Sequence, residues 1–101
     1  MAIEVKALLT AVKAIGAGSN FAIERSAKTL QATVQGIGAV EAKVVVEGSN
    51  MGEAYVEIVT FELAGAGIDT SGITSNAPWA LIRARVVSVS PGAVVTVSVG
   101  Y

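Results

Sequence analysis

Residues 75–90 read Ser-Asn-Ala-Pro-Trp-Ala-Leu-Ile-Arg-Ala-Arg-Val-Val-Ser-Val-Ser, and no other stretch constrains the fold as strongly. A turn sequence ending in proline leads into an unbroken alternation. A β-strand sends successive side chains to opposite faces. Leu81, Arg83, Arg85 and Val87 therefore share one face, and Ile82, Ala84 and Val86 the other. The second set is the core face. The arginines point outward or into a neighbouring molecule.

The same period recurs along the chain. In residues 29–35, Leu30, Ala32 and Val34 face inward and Thr29, Gln31, Thr33 and Gln35 outward, as in a half-buried antiparallel strand. In residues 40–47, Val40, Ala42, Val44 and Val46 alternate with Glu41, Lys43, Val45 and Glu47. With Gly36-Ile-Gly38 turning the chain, these two strands are expected to pair as a hairpin. Residues 55–63 form a further strand, with Tyr55, Glu57, Val59, Phe61 and Leu63 on one side. Its two partly apolar faces suggest a bulge or contact on both sides. Ala64-Gly-Ala-Gly67 is expected to end it, leaving residues 68–74 as a loop holding at most one short strand. In residues 93–99, Val95, Val97 and Val99 alternate with Val94, Thr96 and Ser98. Pro91-Gly92 is a strong turn, so this strand is expected to pair with residues 79–90 as a C-terminal hairpin. Residues 21–24 read as a short strand, and residues 16–20 and 25–28 as turns. Ser-Asn recurs at 19–20, 49–50 and 75–76, where both residue types bond local backbone and Asn tolerates left-handed conformations.

Residues 3–14 fit two patterns. Ala7, Leu8, Ala11, Val12 and Ile15 make a helical stripe, whereas Ile3, Val5, Ala7 and Leu9 fit a strand. No N-cap precedes Ile3 and the rest of the chain is β, which favours an extended N-terminal arm or edge strand. The resulting expectation is all-β: a small antiparallel β-sandwich of seven to eight strands, with jelly-roll connectivity a candidate. A single domain would span residues 1–101, with residues 1–15 as the arm.

Composition bears on partners. Hydrophobic residues make up 52% of the 101 residues and charged ones 15%, against roughly 25% charged in soluble domains. A domain of this size buries only about 60–65% of its unfolded surface, so much of the apolar surface is expected to meet other subunits. A net charge of -1 with no basic stripe argues against a nucleic-acid partner. No run approaches the ~20 apolar residues of a membrane helix, so no membrane partner is expected. The first six residues make a poor signal peptide, because Glu4 stands where a basic region belongs. A soluble, unprocessed intracellular product is the default.

The chain has no Cys and no His, which removes thiolate chemistry and the commonest acid–base group and metal ligand. Glu41, Glu47, Glu53, Glu57 and Glu62 could supply a glycosidase pair only if two were held across a groove. The plainer reading makes them solvated outer-face charges that keep an apolar sheet soluble. Asp69-Thr70-Ser71 offers one carboxylate, too few for calcium. The Gly-x-Gly pairs open no helix and carry no phosphate-loop lysine. No enzymatic activity, catalytic residue, metal or cofactor is therefore expected. Trp79 and Tyr55 are candidates for stacking on a ligand such as a sugar, and Trp79 also fits a lid over the end of the core. Arg83 and Arg85 could pair with Glu41, Glu47 or Glu57 across strands, or with acidic groups of a partner. They are candidate partner-interface residues, together with Ile3, Val5 and Tyr55.

Two segments, Ala42-Lys-Val-Val-Val-Glu-Gly-Ser-Asn-Met-Gly52 and Ser75-Asn-Ala-Pro-Trp-Ala-Leu-Ile-Arg-Ala-Arg-Val86, resemble the strand–turn and Pro-Trp–strand signatures of small tailed-bacteriophage virion structural proteins. The similarity runs loosely from Phe21 to the C-terminus. Met51 and Tyr55 depart from the related pattern, so no sugar- or ion-binding role is carried over to that turn. The resemblance implies a non-enzymatic capsid decoration or cement protein that binds the outer capsid surface across capsomer junctions. Its implied partners are the major capsid protein and itself, as a dimer or trimer. Its implied location is the virion surface, after synthesis in the host cytoplasm. The alternative is a carbohydrate- or receptor-binding module of a phage tail.

Overall fold

The computed structural model of the chain describes residues 4–22, 27–76 and 79–101. They form strands Val5–Val12 (β1), Gly16–Ala17 (β2), Phe21–Ala22 (β3), Lys28–Ser49 (β4), Val56–Ser75 (β5), Leu81–Val89 (β6) and Val94–Gly100 (β7). Every pairing is antiparallel, and no helix occurs among the described residues.

β4 and β5 form one long hairpin, in register from Lys28↔Ser75 to Gly48↔Val56. On its other side β4 meets two strands in succession. Residues 29–35 pair with β7, and residues 42–49 pair with β6. β1 adds to β7, while β2 and β3 add to β6. The seven strands thus act as four long ones, lying side by side as residues 5–22, 81–100, 28–49 and 56–75. The last long strand is inserted between the first and the second, and this order decides the connectivity that the sequence left open.

The long strands fold over. A straight 22-residue β4 would span about 73 Å at ~3.3 Å per residue, yet the longest axis of the molecule is 38 Å. The register shows where it bends: Gln35↔Ile68 is followed by Ala39↔Ala66, so residues 36–38 face Gly67 alone. Gly38 and Gly67 have φ of 77° and 87°, a left-handed backbone that costs a residue with a Cβ roughly 1–2 kcal/mol. Pro91-Gly92 breaks the neighbouring long strand at the same level. This crease divides the sheet into two limbs. Limb one holds β1, β7, residues 29–35 of β4 and residues 68–75 of β5. Limb two holds β2, β3, β6, residues 42–49 of β4 and residues 56–63 of β5.

The inner faces of both limbs share one core. Leu30, Ala32, Val34, Val95, Val97 and Val99 come from limb one. Val44, Val46, Phe61, Leu63, Ile82, Ala84 and Val86 come from limb two. The inward sets expected from alternation on β4, β6 and β7 are all buried. Burying valines and leucines on a thin sheet is the main favourable term here.

Pairing differs from expectation in three places. Residues 29–35 do not pair with residues 40–47; both lie on β4, and Gly36-Ile-Gly38 is the crease within it. Ala64-Gly-Ala-Gly67 and residues 68–74 continue β5 instead of ending it. β6 and β7 do not form a hairpin: Pro91-Gly92 passes the chain from the limb-two half of β4 to its limb-one half. Glycine and proline signal a change of direction equally well at a hairpin end and at a bulge inside a strand, which is why the local sequence misleads at these points.

The N-terminal segment is an edge strand. β1 pairs with β7, and its register shifts either side of Leu9 leave Leu8 and Leu9 both buried. Of the residues read as a flexible turn, Gly16 and Ala17 pair with Val86 and Arg85. Ile23, Glu24, Arg25 and Ser26, from the expected strand and turn at 21–28, lie outside the described residues.

Candidate functional site

The outer face of limb two gathers a charged cluster. Arg83 on β6 lies opposite Glu47 on β4, and Glu47 lies opposite Glu57 on β5. The Arg83 Nε donates to Glu47 Oε1 at 2.7 Å, and Arg85 Nε stands 3.5 Å from the same oxygen. The Glu47 side chain is only 7% exposed, against 28% for Arg83 and 41% for Arg85. Glu47 is thus not the solvated outer-face charge expected of it. A carboxylate can be buried when guanidinium groups replace its water, and a charge-assisted bond of this length does so. Glu57 and the other outer-face acids Glu41, Glu53 and Glu62 are exposed, as expected.

Tyr55, at the base of β5, completes this cluster. The Arg83 guanidinium lies 3.6 Å from the centroid of its ring, a cation–π contact. The Tyr55 hydroxyl accepts from Asn20 Nδ2 at 2.7 Å. The chain thus ties the segment before β3, the 49–55 connection and β6 through one residue. Arg83, Arg85 and Tyr55 come together as a group, and the choice left open for Arg83 falls on Glu47.

Trp79 stands before β6, half-buried, with its ring laid on Gly48. A Cβ built at Gly48 would collide with the Trp79 ring, so glycine is required there by close approach. An open groove of about 260 Å³ beside the ring is lined by Ser49, Asn50, Met51, Glu53 and Ala54. The Ser49 hydroxyl accepts from the Met51 and Gly52 amides and shapes that turn. Trp79 and Tyr55 do not share this groove.

Asp69 turns its carboxylate back on its own strand, accepting from the Ala64 and Thr70 amides at 3.0 Å each. Among the described residues no cluster of acidic side chains could hold a metal ion, and no helix is long and apolar enough to cross a membrane.

Two borders of the sheet have no ladder partner among the described residues: β5 along one side, and β1, β2 and β3 along the other. Val5 on β1 is 70% exposed; Ile3 lies outside the described residues. On β5, Val56, Ile68 and Ile73 are exposed, and residues 64–75 bury almost nothing on either face. Sequence reasoning missed this border because it read residues 64–74 as a strand end and a loop. The available signal was the near absence of charge in a run of Gly, Ala, Ser, Thr and Ile.

The class that emerges is an open-edged, folded antiparallel sheet with a shallow surface and a pinned charge cluster. No family model, curated protein or solved structure matches the chain.

Proposed function

We propose that this chain is a non-enzymatic structural protein of a phage virion. It decorates or cements the outer capsid surface by burying its open borders against neighbouring subunits. The supporting observation is where the exposed apolar side chains lie. Among the seven large ones on described residues, Val5, Val56, Ile68 and Ile73 stand on the border strands, and Ile15 lies in the link between β1 and β2. Large apolar groups concentrated on unpaired strand edges are the pattern that strand addition uses and that isolated proteins avoid. The resemblance of residues 42–52 and 75–86 to phage virion proteins supplies the setting. The partners in this reading are the major capsid protein and further copies of the chain. The mechanism is mechanical: many copies bury surface across capsomer junctions and oppose separation.

The alternative, a carbohydrate- or receptor-binding module of a phage tail, rests on Trp79 and Tyr55. It is the less favoured reading, because the Trp79 ring packs on Gly48 and Arg83 covers one face of Tyr55. A glycan array probed with the protein and with Trp79→Ala tests it.

The test of the favoured reading is co-expression with the phage major capsid protein that this reading requires as partner, followed by electron microscopy of the shells. Regular density on the outer surface at capsomer junctions is the expected result. Bare shells, with the protein left in the soluble fraction, would overturn it.

A further inference from the structure

We infer that the outer face of limb one is a self-association surface, on which a second copy of the chain packs sheet against sheet about a two-fold axis. The inference deepens the assembly role proposed above and rests on it only in holding that copies of the chain associate. It names a face of the sheet, apart from the borders.

Register fixes which side chains this face presents. Val5, Gly100, Thr29 and Thr74 form one row across the limb, and alternate residues of β1, β7, β4 and β5 form the rows beyond it. As far as Gln35 and Ile68, no member of these rows is charged. The charges of the limb fall on the opposite parity. Lys6 is level with Val99, Lys28 with Ser75 and Asp69 with Val34, while Glu4 exchanges two backbone bonds of 2.9 Å with Tyr101. These four residues belong to the side of the sheet that holds the core. Lys13 follows the end of β1, outside the rows.

The polar groups near the middle of the face are already occupied. The Thr70 hydroxyl donates to the Ala32 carbonyl at 3.1 Å, so Thr33 supplies the proton of the 2.9 Å bond between the two threonines. Gln31 Nε2 donates to the same Thr70 oxygen, and Thr96 Oγ1 accepts from the Ala11 amide at 3.1 Å. Burial costs most when a polar group loses its bonds. These bonds lie within one copy and survive burial.

Chemistry selects the occupant. The rows hold no Lys or Arg to attract phosphates and no aromatic ring on which a sugar would stack. A second copy brings the same small, neutral surface, and a two-fold axis sets it against itself with no like charges to repel. The outer face of limb two fails this condition, since Glu41, Glu57 and Glu62 would lose water there. Area also permits the pair. A standard interface uses about 20–30 residues for ~800 Å² a side, so these about fourteen residues supply about 500 Å² a side. The total of about 1,000 Å² reaches the lower bound for a specific pair. Two sheets packed this way lie about 10 Å apart, and the resulting dimer is isologous.

The test places a charge at Gln31, which is exposed near the middle of the face. Light scattering after size exclusion should give the wild-type chain twice the 10.2 kDa of one copy. Gln31→Lys should run as a monomer. Glu62→Lys, on the outer face of limb two, should keep the wild-type mass. A wild-type chain that stays monomeric at every concentration would overturn the inference. A dimer that survives Gln31→Lys would do the same, by placing the contact on a border. Loss of the dimer in Glu62→Lys would overturn it by placing the contact on limb two.

A second measurement does not depend on the lysine being tolerated. The chain has no cysteine, so Gln31→Cys and Glu62→Cys each carry a single thiol. A long-armed bismaleimide should link Gln31→Cys to itself and leave Glu62→Cys unlinked. The reverse pattern would overturn the inference. Dimers that leave capsid shells bare would sink the virion role and leave this interface standing. Coated shells from a chain that is monomeric in solution would sink the interface and leave the virion role.

Discussion

The two limbs have matching inner faces and contrasting outer ones. Limb one presents Thr29, Gln31, Thr33, Gln35, Thr70 and Thr96, all uncharged. Thr33 and Thr70 share a hydroxyl–hydroxyl bond of 2.9 Å, and Gln31 Nε2 donates to Thr70 Oγ1 at 3.2 Å. Limb two presents Glu41, Lys43, Glu47, Glu57, Glu62, Arg83 and Arg85. One strand, β4, contributes to both. The difference teaches that burial dictates only one face of a sheet strand. The other face is free to become a neutral hydroxyl ladder or an ion-paired cluster. The outer strand of limb two also buries Phe61 and Leu63, whereas its continuation in limb one is held mostly by the backbone ladder and the Thr–Gln bonds.

The largest expected effect tests whether the limbs share a core. Leu30→Ala in limb one and Ile82→Ala in limb two each remove a fully buried side chain and should each cost about 3 kcal/mol. Urea unfolding followed by Trp79 fluorescence and by circular dichroism should give one transition in both variants. Two separate transitions would mean that the limbs unfold independently.

Next comes the close contact peculiar to limb two. Gly48→Ala sets a methyl against the Trp79 ring and should cost about 2 kcal/mol by overpacking. Adding Trp79→Ala should make the pair lose less than the sum of the single changes. Strict additivity in a double-mutant cycle would show that the ring is not what glycine accommodates.

A smaller contrast separates the outer faces. Glu47→Gln should cost roughly 1–2 kcal/mol, less than breaking a fully buried pair, because both arginines can rehydrate. Thr33→Val in limb one should stay within about 0.5 kcal/mol. Equal losses in chemical denaturation would remove the distinction between a pinned face and a neutral one.

The smallest effect concerns pH. Lys28, at the limb-one end of β4, is buried, and desolvation lowers its pKa from the ordinary 10.5. In the window between the folded value and 10.5, the unfolded chain binds more protons than the folded one. Stability should therefore rise with pH across that window. Urea midpoints collected from neutral pH to pH ~10 should show a steeper rise in the wild type than in Lys28→Met. Parallel curves would mean that this lysine contributes no linkage.

Much of the inward face was legible. Leu30, Ala32, Val34, Ile82, Ala84, Val86, Val95, Val97 and Val99 follow from alternation alone, because a strand's period of two is a local property of the backbone. The partners of these strands were not legible. Gly36-Ile-Gly38 and Ala64-Gly-Ala-Gly67 carry the composition of turns, and only the opposite strand decides whether such a segment reverses the chain or creases it. Burial of Glu47 was equally hidden, since the arginines that make it tolerable lie 36 and 38 positions away in sequence. Among the site residues, Arg83, Arg85 and Tyr55 were singled out from their types, while Asn20 and Gly48 were seen only as turn residues.

Local chemistry by itself determined that this protein is all β, which faces of its strands turn inward, and that it lacks the cysteine and histidine on which much catalysis depends. Tertiary structure decided that four long strands fold across one crease, that Pro91-Gly92 links the two halves of a sheet, and that two borders have no ladder partner among the described residues. The division has a physical cause. Alternation and backbone preference act between near neighbours, whereas register, creasing and ion pairing depend on strands brought together from distant parts of the chain.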